Sequence, residues 1–224
     1  VLFRSPIYNL PILKSKDNTM NNTESLSLEQ LAKRDYVLMI DKSGSMEKTD
    51  PGTTKSRWQR AKEFAESLAY KCEQFDQNGI DVVLFGSNFK RYNNVTSAKV
   101  EQIFREQSPG GSTNTAGALE SVLAEYRSNP GKPITVLVIT DGEPDDEKAV
   151  EKCIVNHANS ISDDSETGIS FIQIGSDAGA RAWLQGLDDD LQKVGAKFDI
   201  VDTKNEEEMD NLSLSDIILA AVTD

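Results

Sequence analysis

From Asp35 onward the chain alternates between two apolar periodicities. Tyr36–Ile40 is an unbroken apolar run of strand length. Trp58, Ala61, Ala65, Leu68, Cys72 and Phe75 then recur every three or four residues, which marks one face of a long helix. Ile80–Phe85 reads as a second strand, and Phe89–Val95 as its hairpin partner through Gly86, Ser87 and Asn88. A short helix over Val100–Phe104 is broken by Pro109, Gly110 and Gly111. Thr115–Arg127 predicts a helix with Leu119, Val122, Leu123 and Tyr126 on its apolar side. Ile134–Thr140 is rich in β-branched residues, the pattern of a central strand covered on both faces. A helix over Asp146–Ile161, a strand over Ile169–Ile174 and a helix over Ala178–Val194 interrupted at Gly186 follow. A last strand at Phe198–Val201 and a last helix at Ser213–Val222 complete the order.

Strands that alternate with helices predict an α/β fold: a doubly wound, mostly parallel central sheet with one antiparallel edge strand and helices on both faces. Residues 14–25 have almost no apolar content, so residues 1–34 read as a flexible leader with a short helix at Ser27–Lys33, and residues 35–224 as one domain. In such sheets ligands sit beyond the carboxyl ends of the strands, where the strand order reverses. The residues that follow the buried strands are therefore the ones to inspect.

Three loops meet that condition. Asp41, Lys42, Ser43, Gly44 and Ser45 follow the first strand; Asp141, Gly142, Glu143 and Pro144 follow the central strand; Gly110, Gly111, Ser112, Thr113, Asn114 and Thr115 precede a helix. Together they offer two carboxylates and several hydroxyls, all hard oxygen donors of the kind Mg²⁺ takes. The spacing of Asp41, Ser43 and Ser45 lets alternate side chains in one loop point the same way, with Gly44 allowing a tight fold. Each loop alone is also ordinary turn or cap chemistry, and Thr113 and Thr115 both suit the cap of the next helix. Their convergence on one edge of one sheet is what points to a metal site.

Charge refines this picture only slightly. The 224 residues hold 37 Asp plus Glu against 24 Lys plus Arg, a formal net charge of −13. Residues 1–140 carry 18 basic against 16 acidic residues, whereas residues 141–224 carry 6 against 21. The acidic runs around Asp163, Asp188 and Glu206 are expected to be solvated surface away from the three loops. The acidity argues against a broad grip on nucleic-acid phosphates, and no apolar run approaches the ~20 residues of a membrane helix. Cys72 and Cys153 lie within helical patterns and show no zinc spacing. With no secretory leader legible before the domain, the expected compartment is cytoplasmic.

Asp41-x-Ser43-x-Ser45, the loop through Thr113, and the strand ending at Asp141 resemble the metal-ion-dependent adhesion site (MIDAS) of von Willebrand factor type A domains. The resemblance covers roughly residues 35–224 in element order, and implies a Rossmann-like fold. It implies that Ser43, Ser45 and Thr113 are direct or near-direct ligands of Mg²⁺ or Mn²⁺, with Asp41 and Asp141 acting directly or through water. Thr113 rather than Thr115 falls at the family's position. The resemblance further implies that a Glu or Asp of a partner protein completes the coordination, with Lys42, Glu47, Lys48, Asn114, Glu143 and Asp145 around the ion. The stretch from Phe171 to Leu191 resembles the intracellular, microbial branch of the family, whose members work as protein-interaction modules in larger assemblies.

The rival class is a Mg²⁺-dependent phosphohydrolase of the haloacid dehalogenase type, which also places an Asp after its first strand. That chemistry needs a second Asp two residues on as general acid, and Ser43 stands there. His157 is the sole histidine and is expected to be a partly buried or surface helix residue, with no Ser or Cys nucleophile paired to it. Trp58 and Trp183 lie on helical stripes and read as packing residues. The expected protein is a binding module, not an enzyme.

Overall fold

The computed structural model describes residues 31–75, 79–142, 144–209 and 212–223. The predicted leader up to residue 30, most of the Ser27–Lys33 helix, and Glu143 lie outside the described residues. The strands are β1 (Asp35–Asp41), β2 (Ile80–Phe85), β3 (Phe89–Val95), β4 (Ile134–Thr140), β5 (Thr167–Gln173) and β6 (Val201–Asn205). The helices are α1 (Arg57–Cys72), α2 (Ser97–Glu106), α3 (Thr115–Ser128), α4 (Glu147–Ala158), α5 (Ala178–Asp190), α6 (Glu206–Met209) and α7 (Leu214–Thr223). The strands form one sheet in the order β3-β2-β1-β4-β5-β6, parallel except for the antiparallel β2–β3 pair. The expected doubly wound sheet with one antiparallel edge is the fold observed.

The alternation of side chains along β1 explains why its apolar run is unbroken. Val37 and Met39 enter one core with β4's Val136 and Val138 and with apolar residues of α3, α4 and α5. Tyr36, Leu38 and Ile40 enter the opposite core, with Leu137 and Ile139 and the inner faces of α1, α2 and α7. A strand covered on both faces has no polar side to show. Each fully buried Leu or Ile contributes roughly 1.5–3 kcal/mol from burial alone, so the central strands are the most firmly held part of the sheet. The packing reaches back to Leu31, which lies in the second core, and to Arg34. The Arg34 guanidinium donates to Thr135 Oγ1 at 2.7 Å, the Ile134 carbonyl at 2.6 Å and the Ser165 carbonyl at 2.5 Å.

Helix starts follow the side-chain chemistry. Ser56 and Gln59 form a reciprocal capping box on α1, and Asn114, Asp146 and Asp177 cap α3, α4 and α5. Each cap satisfies a backbone N–H that the first helical turn leaves without a partner.

Two predicted elements are displaced. The last strand is Val201–Asn205 and not Phe198–Val201. Phe198 packs on the core from the preceding loop, while the strand carries Asp202, Thr203, Lys204 and Asn205, the polar character of a sheet edge. Gly186 does not interrupt α5, which runs through it to Asp190 before a tighter turn over Leu191–Val194. Leu184, Leu187 and Leu191 bury on both sides of Gly186, and that packing offsets the ~1 kcal/mol cost of glycine in a helix. No helix among the described residues is long and apolar enough to cross a membrane.

Candidate metal centre

The strand order places β1 between β2 and β4, and the connections leave the sheet in opposite directions on either side of the β1–β4 pair. The carboxyl ends of those two strands are therefore the sheet's crevice, and Asp41 and Asp141 stand at them. Asp41 is fully buried and Asp141 is 1% exposed. The Ser43 N–H donates to Asp41 Oδ1 at 2.7 Å, and Thr140 Oγ1, on the strand next door, donates to Asp41 Oδ2 at 2.8 Å. Ser43 Oγ and Ser45 Oγ are 3.0 Å apart, and Ser45 Oγ donates to Asp141 Oδ1 at 2.8 Å. Four of the five predicted residues are thus joined by hydrogen bonds, Asp41 to the Ser43 N–H and the two serine hydroxyls on to Asp141.

Thr113 reaches the same edge by its backbone. The Gly44 N–H donates to the Gly111 carbonyl at 3.0 Å and the Gly110 N–H to the Lys42 carbonyl at 2.7 Å, so the two loops are clasped together. Gly111 sits at φ +86°, and a Cβ there would collide with Ser87 Oγ. A Cβ on Gly44 would meet only ordinary contact, so the tightness here depends on Gly111 and not on the glycine between the serines. Thr113 exchanges two bonds with Asp145, its N–H donating to Oδ1 at 2.9 Å and its carbonyl accepting the Asp145 N–H at 3.0 Å. Among the described residues, no hydrogen bond joins the Thr113 hydroxyl to the other four. Of the residues expected to surround the ion, Glu47 and Lys48 are exposed on the rim, whereas the Asn114 side chain turns away to accept the Gly117 N–H.

Burial dominates the electrostatics of Asp41. It pushes the carboxyl up to about 6, against the opposing hydrogen bonds from Ser43, and the charge of Asp141 adds to the rise. An anionic pair held away from water in this way is poised to take a cation. Among the described residues no group of three His, Cys, Asp or Glu side chains is placed to hold a metal. The donor set of this site is accordingly two carboxylates and a row of hydroxyls. Such hard oxygens fit Mg²⁺ or Mn²⁺ and do not suit a soft ion.

Three residues of the neighbourhood went unread in the sequence. Arg57 Nη1 donates to Asp141 Oδ2 at 2.7 Å, and the same guanidinium grips Asp50 through Nη2 at 2.6 Å and Nε at 3.1 Å. Arg60 pairs with Asp50 and, at 2.5 Å, with Glu206 Oε2, which also accepts the Gly175 N–H at 2.7 Å. The Arg57 hydrogen bonds hold Asp50 below the usual carboxylate range. Glu206, expected on remote solvated surface, is therefore joined to the site through two arginines. Arg57 does leave a trace in the sequence: it precedes Ala61 by one turn on the buried stripe of α1, where a charge is out of place. His157 also departs from expectation. It is fully buried, with Nε2 2.9 Å from Thr167 Oγ1.

Residues 36–143 match the sequence profile of the von Willebrand factor type A domain. A comparison with curated proteins returns no match. Among solved structures, the manganese-loaded TRAP protein of Plasmodium vivax is similar with a TM-score of 0.56 at 16% identity, over 86% of this chain and 75% of that one. A mutant PilB minor pilin of Streptococcus sanguinis gives 0.56 at 16% identity, over 83% and 60%. A von Willebrand factor type A protein of Catenulispora acidiphila gives 0.56 at 15% identity, over 84% and 41%. At such identities the likeness is one of fold, and this chain spans less than two thirds of the length of the last two.

Proposed function

We propose that this von Willebrand factor type A domain, for such the profile match and the fold make it, is a divalent-metal-dependent protein-binding module. Asp41, Ser43, Ser45, Thr113 and Asp141 would hold Mg²⁺ or Mn²⁺. When bound, the ion supplies an electrophilic position open to an acidic side chain of a partner protein. The observation that carries this reading is the hydrogen-bonded run from Asp41 through the Ser43 N–H and the Ser43 and Ser45 hydroxyls to Asp141 at the crevice of the sheet, with contacts of 2.7–3.0 Å. The manganese in the TRAP relative supports the choice of ion class.

The chain's own residues prepare the site. Thr140 and the Ser43 N–H fix both oxygens of Asp41, so the carboxylate is oriented before any ligand arrives. Arg57 occupies Asp141 Oδ2, leaving Oδ1 on the side of the serines. Asp145 holds the Thr113 backbone beside them. Against the phosphohydrolase of haloacid dehalogenase type, Asp41 is fully buried with both oxygens hydrogen-bonded, and Ser43 stands where that chemistry needs its acid. Cys72 and Cys153 are buried and form no disulfide among the described residues, which supports reading the setting as cytoplasmic, within a larger assembly.

Thermal melts with Mg²⁺ or Mn²⁺ test the reading. The wild type should melt higher with millimolar metal, and Asp41→Ala should show no shift. A wild type indifferent to both ions overturns it. A pull-down with and without chelator, repeated on Asp41→Ala, then reads the partner, and metal-dependent turnover of a generic phosphate ester would favour an enzyme instead.

A further inference from the structure

The first residue of α1 carries the wrong charge for its place. Backbone N–H groups make the start of a helix electropositive, and acids, not arginines, are favoured there. Arg57 nevertheless opens this 16-residue helix and is only 8% exposed. What holds it is a built socket. Asp50 takes the guanidinium from one side with two oxygens, Asp141 takes it from the other, and Gly175 leaves room for it. A Cβ on Gly175, whose φ is +94°, would lie 2.8 Å from Arg57 Nε and 3.0 Å from Asp50 Oδ2. Arg57 is thus shared between a carboxylate of the metal centre and one outside it.

The charges of the whole cluster are informative. Asp141, Asp50 and Glu206 pair with Arg57 and Arg60, and Asp41 stands beside Asp141, so these six groups leave two negative charges in a largely buried region. One divalent cation neutralises that remainder. The guanidinium and a divalent ion are, however, rivals for Asp141, because a carboxylate whose Oδ2 is engaged at 2.7 Å by a cation has less charge to offer through Oδ1.

Resting on the metal-binding reading above, we propose that Arg57 is a tethered counter-cation that competes with the divalent ion for Asp141 and so sets the metal affinity of the site, with Asp50 drawing it away. Arg57 holds the resting site together and keeps its grip on the ion moderate. A moderate grip leaves the ion with more attraction for a carboxylate arriving from outside. Arg60 acts on Asp50 and not on Asp141, so it belongs to the tether and not to the competition.

The test is Mn²⁺ affinity, read from the free-ion signal in electron paramagnetic resonance, on the full chain. Arg57→Gln should bind Mn²⁺ at least tenfold more tightly than wild type. Damage to the fold would weaken binding, so a gain cannot arise from it. Asp50→Asn, which leaves the guanidinium to Asp141, should bind at least threefold more weakly. Arg60→Gln changes net charge as Arg57→Gln does without touching Asp141, and should stay within threefold of wild type. Should Arg57→Gln fail to fold, Arg57→Met, which keeps the apolar stem without the charge, takes its place with the same expected gain. Unchanged affinity in Arg57→Gln or Asp50→Asn, or an equal gain in Arg60→Gln, overturns the proposal while leaving the metal site standing. A wild type that binds no Mn²⁺, and is indistinguishable from Asp41→Ala, removes both.

Discussion

His157 should make the protein acid-sensitive in a way that one substitution removes. The imidazole lies under α4, with Nε2 against Thr167 Oγ1 at 2.9 Å, Nδ1 3.4 Å from Arg127 Nη1, and the Tyr126 ring edge-on at 6.0 Å. Burial first, and the Arg127 charge second, push its pKa down to about 4, against weaker opposing pulls from Glu120 and Glu166. The unfolded chain binds this proton near the ordinary value of about 6.5. The folded pKa is depressed, so the neutral ring's contribution is complete above about pH 6.5 and is lost as pH falls towards 4. A difference of about 2.5 pKa units corresponds to roughly 3 kcal/mol, most of it spent by about pH 4.5. Asp41 works in the opposite direction over part of the same range, so the wild-type curve alone would blur the effect. Urea unfolding of wild type and His157→Gln at about pH 7.5 and 4.5 cancels the other groups. The wild type should lose about 2–3 kcal/mol relative to the variant between the two conditions. A gap that stays constant within about 0.5 kcal/mol would falsify the reasoning, because the buried ring would then be protonating without cost.

Other consequences follow from the same contacts. Asp41 is held near 6, above its unfolded value, so its carboxylate costs stability as pH rises from about 4 to 6. Asp41→Asn should therefore melt higher than wild type in chelator, by an amount on the order of 2–3 kcal/mol, while losing the metal shift; a lower melt in chelator would contradict this account. Gly175→Ala must place a Cβ at φ +94° against the Arg57–Asp50 pair, and should cost about 2 kcal/mol in a thermal melt. An unchanged melting temperature would mean that the socket is looser than described. The Cys153 thiol, pushed up to about 12 by burial and by the neighbouring Glu120, should resist alkylation at mildly alkaline pH, as should fully enclosed Cys72. Both should react in urea, and rapid labelling of either in the native protein would argue against the packing of α1 or α4.

The strands whose ends carry Asp41 and Asp141 were legible from local pattern alone. Tyr36–Ile40 is apolar throughout, and Ile134–Thr140 is apolar but for Thr135 and Thr140, because both faces are covered, and an Asp directly after such a run has only the sheet's edge to occupy. The cap of α3 was misplaced by one residue, since Thr113 and Thr115 both suit that role by residue type, yet it is Asn114 Oδ1 that accepts the Gly117 N–H. Legibility failed where local pattern and packing diverged. Val201–Asn205 is mostly polar, and only pairing with β5 makes it a strand. Gly186 is a poor helix former that its buried neighbours keep helical.

Periodicity and short-range chemistry thus settled the order of elements, the sheet edge and the oxygen-rich loops, because those depend on residues within a few positions of one another. Tertiary structure decided which charges meet. Arg57 and Asp141 are 84 positions apart, and Arg60 and Glu206 are 146 apart. Nothing in the repeat of either helix or strand encodes such a pairing. An ion pair of this kind exists only where folding brings two buried charges together and excludes water, and its strength comes from that exclusion. The same physics turned Glu206 from an apparent surface acid into a partner of the site, and His157 from an expected partly buried or surface helix residue into a fully buried, neutral ring.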